Sequence, residues 1–246
     1  MRYFITFSYD GSNFCGYQRQ PRERTVQKVM EDALKEISGG DSVSVCASGR
    51  TDALVHAINQ KATFDLKKEI SPEKLYRALN SLLPDDVYVK KVQVVNDDFH
   101  ARFNAIGKEY IYKINMGEYD PIERNYCYQY CSKLDLAAME RGLKYLEGEH
   151  NFKSFTKSDD EIVDYVRKIS QTALDRDSKD INKITITFVG TGFLRYMVRN
   201  MVGLLIEIGE GKRKPEDIME IFRCEDRTMA GKTAPACGLY LRNVFY

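Results

Sequence analysis

Apolar and polar residues alternate from the second position onward. In RYFITFSY, Tyr3, Ile5, Phe7 and Tyr9 fall on one side, the period-two pattern of a strand with one buried face. A polar, glycine-bearing stretch, DGSNFCGYQRQPRER, follows. Val26, Val29, Met30, Ala33 and Ile37 then recur at helical spacing behind Thr25, a good N-cap, and Ser38-Gly39-Gly40 stops the helix. SVSVCA and QKATFDL read as strands. Ser71-Pro72 opens a second helix with a cap and a first-turn proline, striped by Leu75, Ala78, Leu79 and Leu82. Pro84 ends it, and VYVKKVQVV is a strand. The order strand, helix, strand, strand, helix, strand is the ferredoxin-like or split βαβ pattern.

The second half repeats that order without repeating residues. RFNAIGKEYIYKIN reads as a long strand, Leu134 to Glu147 as a helix, VDYVRKISQTAL and KITITFVG as strands, Phe193 to Glu207 as a helix, and Gly238 to Tyr246 as a last strand; RKPEDIMEIFR adds a helix. The expected fold is α+β. Two ferredoxin-like halves, 1–103 and 104–246, would share a mainly antiparallel sheet flanked by helices, with an active-site cleft between them.

Composition narrows the class. With 246 residues, 43% hydrophobic and 30% charged, the chain can bury one large core or two ordinary ones. The first residues lack the apolar core of a signal peptide, and the most apolar window, Met197 to Ile208, is broken by Arg199, Asn200 and Glu207. A soluble, cytoplasmic protein is expected. Of six cysteines only Cys127 and Cys131 are close, and the three histidines lie far from them, so neither a zinc site nor a disulfide framework is indicated. Net charge is only +1, but its distribution is uneven: Tyr17–Lys28 and Gly190–Lys214 each carry a local +3, and Gly117–Glu161 a local −4. Such separation permits one basic face for a polyanion; solvated faces would look the same.

Three stretches carry candidate chemistry. SGRTDALVHA lies between two strands, where connections expose side chains and backbone. Its Asp52 is either a turn cap or a reactive carboxylate held ionised by a cation. TGFLRYMVRN supplies cations, since Arg195 and Arg199 are four apart on the expected helix and point to one side. Among apolar neighbours Arg199 either pairs, with Asp52 as a partner, or snorkels to solvent. FHARFNAIGKEYIYKI mixes aromatics with bases. Tyr110 and Tyr112 share a strand face there, suited to core packing or to stacking on nucleobases.

Together, YDGSNFCGYQRQ, TVQKVMEDAL, SGRTDALVHA, FHARFNA, KEYIYKI, GEHNFKSF, GFLRYMVRNMVG and AGKTAPACGLYL resemble the TruA family of tRNA pseudouridine synthases, in order, from Tyr9 to Leu241. The resemblance implies isomerisation of uridine in the anticodon arm of tRNA, without metal or cofactor, by a homodimer. It implies that Asp52 is the nucleophile, at the sugar C1′ or by removing a sugar proton. Tyr110 would stack on the uracil, Arg199 would pair with Asp52, and Arg50 would help flip the nucleotide, which a stacked helix otherwise withholds. Gln18, Arg19, His56, Arg102 and Arg195 are implied RNA-binding residues, with Arg19–Lys28 and Lys212–Lys214 as basic stretches.

Three positions depart from the family pattern. Leu54 stands where glycine is expected, Tyr17 where tryptophan is, and Lys108 where arginine is. If that glycine serves a positive φ, Leu54 carries about 1–2 kcal/mol of backbone strain. A silent tRNA binder on the same scaffold, or an unrelated two-domain ligand-binding module, are the competing readings.

Overall fold

The alternation at the start of the chain forms β1 (Arg2–Tyr9), and Tyr3, Ile5, Phe7 and Tyr9 are all buried. Helix α1 (Val26–Ile37) begins where Thr25 accepts the N–H of Lys28, and it buries Val26, Met30, Ala33 and Leu34. Of SVSVCA only β2 (Cys46–Ala47) is paired. The residues before it lean on α1, whose Glu31 accepts the Val45 N–H at 3.2 Å while Gln27 donates to the Val45 carbonyl at 3.3 Å. Strand β3 (His56–Asp65), helix α2 (Pro72–Leu82, capped by Ser71) and β4 (Val87–Val95) complete the first run. Strands lie in the order β4-β1-β3 with β2 on the far edge of β3, all antiparallel, as in a ferredoxin-like unit.

This computed structural model describes residues 1–157 and 164–246, so the first residue of the expected strand VDYVRKISQTAL, Val163, lies outside the described residues. The chain divides into two units, Met1–Ile106 with Tyr240–Tyr246, and Gly107–Leu239. The second unit runs β5 (Gly107–Asn115), β6 (Tyr128–Gln129), α3 (Leu136–Leu146, capped by Asp135), β7 (Gly148–Asn151), β8 (Val166–Arg176), β9 (Lys183–Gly190), α4 (Met197–Gly209) and α5 (Asp217–Cys224). Its strands β5-β9-β8-β7 are antiparallel neighbours, and β6 pairs with the end of β5. Helix α4 is apolar nearly all round and buried accordingly. Helix α3 crosses it closely, since a Cβ on Gly142 would lie 3.0 Å from Leu205. The final strand, β10 (Leu239–Phe245), runs parallel to β3, placing Tyr240 beside His56 and Leu241 beside Ala57.

Two of the boundaries that move bear on the site residues. The long strand starts at Gly107, not Arg102, because His100 closes a turn ahead of it. The His100 Nδ1 accepts the N–H groups of Arg102 and Phe103 at 3.1 and 3.3 Å, and Asn104 Oδ1 accepts that of His100 at 2.7 Å. Helix α4 starts at Met197, not Phe193, because Tyr196 takes a left-handed conformation (φ 64°). Arg195 therefore precedes the helix instead of sharing a face with Arg199. Among the described residues no helix is long and apolar enough to cross a membrane.

Candidate active site

In the first unit, Asp52 sits on a loop that its neighbours hold from three sides. Tyr9, at the end of β1, shares a 2.8 Å hydrogen bond with Thr51 Oγ1. Gln60, fully buried on β3, donates to the Gly49 carbonyl at 2.9 Å and accepts from Ser48 Oγ at 2.7 Å. On the opposite side runs the stretch from Asp10 to Tyr17. The Tyr17 N–H donates to the Thr51 carbonyl at 3.0 Å, and Leu54 N–H to the Phe14 carbonyl at 3.3 Å. That stretch also takes the free N–H groups at the start of α1, from Val26 to Gly16 O and Gln27 to Tyr17 O. Glycines allow the approach: a Cβ on Gly11 would lie 2.2 Å from the Val55 carbonyl oxygen, and Gly16, at φ +94°, would place one 3.1 Å from the Thr51 oxygen.

The loop closes in a tight turn in which Val55 N–H donates to the Asp52 carbonyl at 3.3 Å. Leu54 is its third residue and has φ 66°, a type II pattern that favours glycine. The strain expected from the missing glycine is therefore present. Its side chain is 47% exposed, Arg50 and Ala53 are exposed, and Asp52 is half-buried.

The second unit assembles its own group. Tyr110 on β5 is 8% exposed and meets the edge of Phe193 at 5.0 Å between ring centres. Tyr112, on the same strand face, donates its hydroxyl to the Pro235 carbonyl at 2.7 Å. Arg199 Nε donates to the adjacent Ala234 carbonyl at 2.8 Å, and the Ala234 N–H returns to the Arg199 carbonyl at 3.0 Å. The segment 232–235 thus ties the tyrosine strand to the arginine helix. Buried Asn200 anchors it, accepting from Thr233 Oγ1 at 2.6 Å and Arg227 Nη2 at 2.8 Å. Gly203 lets it lie on α4, since a Cβ there would fall 1.7 Å from the Lys232 oxygen. Although Arg195 is off the helix, it still joins Arg199 at one ring: their guanidinium carbons lie 5.0 and 5.3 Å from the centre of Tyr196.

The remaining expected residues have distinct settings. His56 is only 2% exposed; its ring stacks on Tyr240 at 4.6 Å and its Nδ1 accepts the Gly11 N–H at 3.1 Å. The same Nδ1 lies 3.2 Å from the Asp10 carboxylate, which also accepts from the Ser12 N–H and hydroxyl. His56 is thus built into the loop support. Gln18 is exposed, as is Arg19, which pairs with Glu31 at 2.9 Å. Arg24 grips Asp86 with both Nη atoms over the Phe14 ring, and Lys28 pairs with Asp32. Lys212 and Arg213 pair with Glu210 and Glu207. The positive excess of Tyr17–Lys28 is therefore matched by acids outside that stretch, whereas Glu207 and Glu210 are already counted in the +3 of Gly190–Lys214. Arg102 lies over Phe103, itself 77% exposed on the turn closed by His100.

Sequence reading missed the support: Tyr9, Ser48, Gln60 and Asn200. A lone glutamine in the apolar half of a strand, and an asparagine inside an apolar helix, were the available signals. Tyr17 shows what its departure costs. Its hydroxyl is buried with no hydrogen-bond partner among the described residues, and burial pushes its pKa well above the usual value.

A family model described as tRNA pseudouridine synthase matches residues 5–104 and 143–246. The tRNA pseudouridine synthase A of Lacticaseibacillus casei (strain BL23) is 45% identical over 245 residues, covering 99% of both chains. That of Geobacillus sp. (strain WCH70) is 46% identical over 242 residues, covering 98% of this chain and 96% of its own. Among solved structures, a Cbf5-Nop10-Gar1 complex aligns over 83% of this chain and 54% of that one at 11% identity, with a TM-score of 0.34.

Proposed function

Because the chain belongs to the tRNA pseudouridine synthase family and isomerises uridine to pseudouridine in tRNA, we propose that Asp52 is its nucleophile and the anticodon stem-loop its target. In the reaction the N1–C1′ bond breaks, the uracil turns, C5 bonds to C1′, C5 loses its proton and N1 gains one. Asp52 starts it either by attack at C1′ or by taking a sugar proton.

The observation that carries this reading is the loop itself. Buried Ser48, Thr51 and Gln60 fix the backbone on either side of a half-buried carboxylate, the preorganisation that a group acting on a positioned sugar requires. Arg50, exposed two residues away, is the group that reaches for the flipped nucleotide. Tyr110 stacks on the uracil, and Arg199 supplies a cation to the reaction. Its Nε is already used by Ala234, which fixes how the rest of the guanidinium fork is presented. Gln18, Arg19, Arg102 and Arg195 contact the RNA from the surface, while His56 acts by holding the loop. The enzyme works as a homodimer in the cytoplasm.

Tritium release from tRNA labelled at uridine C5 tests the reading. Wild type releases tritium, and Asp52→Ala loses at least about 10³-fold in rate while still binding tRNA. Turnover retained in Asp52→Ala removes the nucleophile assignment. A wild type that binds tRNA without releasing tritium makes the protein a silent binder.

A further inference from the structure

Leu54 is a bulky residue in a conformation that favours glycine, and folding does not recover that strain. Its side chain is 47% exposed and is not among the buried residues of the core. The turn does not need it either, because the neighbours fix the backbone through Leu54 N–H to Phe14 O, Val55 N–H to Asp52 O, and Gly16 pressed against Thr51 and Ala53. Backbone strain that survives without a structural return points to function at that position.

Within five residues the loop turns outward a cation, Arg50, a half-buried carboxylate, Asp52, and two apolar side chains, Ala53 and Leu54. A nucleotide is complementary to that set. Its phosphate suits the guanidinium, and the flat face of its base or ribose suits an aliphatic side chain. Exposed leucines are used in this way, as wedges against bases in nucleic acids.

We propose that Leu54 is a specificity-determining residue that packs on the RNA nucleotide adjoining the uridine addressed by Asp52. The proposal rests on the Asp52 reading. Its selectivity follows from geometry: a leucine reaching beyond the turn tolerates some neighbouring nucleotides better than others, so it sets the relative rates at different target uridines.

Leu54→Gly, Leu54→Ala and Leu54→Met separate the side chain from the backbone. Glycine relieves the strain and removes the side chain; alanine removes the side chain and keeps the strain; methionine keeps apolar bulk. Tm, tRNA affinity by gel shift, and kcat/KM on tRNAs with single target uridines at different positions are measured for each. Leu54→Gly is expected to raise Tm by about 2–8 °C. Both Leu54→Gly and Leu54→Ala are expected to weaken tRNA binding or shift the ratio of rates between targets by about 5–10-fold, with Leu54→Met near wild type. Alanine and glycine variants both within 2-fold of wild type in affinity and target ratio would overturn the proposal. So would an effect in Leu54→Gly alone, which would be a backbone effect. Failure of the Asp52 reading is distinguishable, because it appears as turnover retained in Asp52→Ala, whatever the Leu54 series does to affinity.

Discussion

Tyr17 and Leu54 hold the clearest single-residue consequences, because both depart from the family pattern, Leu54 within the loop carrying Asp52 and Tyr17 bonded to it. Tyr17 packs well, 3% exposed, but its hydroxyl has no partner among the described residues. An unsatisfied buried hydroxyl costs about 1–3 kcal/mol, so Tyr17→Phe is expected to raise stability by about that amount with the loop unchanged. The same burial gives a pH signature. The folded pKa of Tyr17 is raised above its unfolded value of about 10, so its share of stability is complete below that pH and is lost as pH rises beyond it. Denaturant titrations of wild type and Tyr17→Phe from pH 8 upward check both points. The variant should be the more stable throughout, with a shallower alkaline decline. Little of this was legible in advance. That Leu54 was strained followed from the glycine expected there, but an orphan hydroxyl depends on neighbours that no local pattern names.

At the scale of elements, caps and stripes were readable because their causes are local. Thr25 and Ser71 each accept an N–H three residues on, as their positions implied; Asp135 does so too, although the helix was expected to start before it, at Leu134. The start of α4 was not readable, because Phe193 and Leu194 continue the apolar pattern straight through a left-handed residue, Tyr196. Nor was the packing of segment 232–235 on that helix, which is a long-range contact. The contact nevertheless determines how Arg199 and Tyr112 are held, since both donate to its carbonyls. Gly203→Ala is therefore expected to displace the segment, lower stability by more than about 2 kcal/mol and reduce kcat at least about 10-fold. Gly192→Ala, whose Cβ would meet only the Arg167 side chain at 3.7 Å, serves as the control and should leave both unchanged. Thermal melts and tritium release on the two variants make the comparison.

Over the whole molecule, the α+β class and the order of the longer strands and helices were legible, since duplicated split βαβ runs leave their period in the sequence; the short β6 and β7 were not. Which unit the last strand would join was not, because pairing partners are chosen by tertiary fit. Strand β10 lies on β3 of the first unit, where Tyr240 stacks on His56 and the hydroxyl of Tyr246 donates to the Ala101 carbonyl at 2.6 Å. His56 in turn holds Gly11 beside the Asp52 loop. Removing Tyr240–Tyr246 is expected to expose the amides at the start of β3 and loosen that loop. Hydrogen exchange should then show lost protection at His56 and Ala57, and unchanged protection there would contradict the coupling.

That placement of β10 also sets an order of events during synthesis. The strand that completes the first unit is separated from the rest of it by all of Gly107–Leu239. At ribosomal rates of roughly 5–20 residues per second, the early part of the chain waits several seconds for its closing strand. Until Tyr240 emerges, His56 lacks its stacking partner and the edge of β3 it flanks stays open to other strands. The Asp52 loop has its own holds in Tyr9, Phe14, Tyr17 and Gln60, whereas His56, which keeps Gly11 beside that loop, gains its ring partner only once Tyr240 is made.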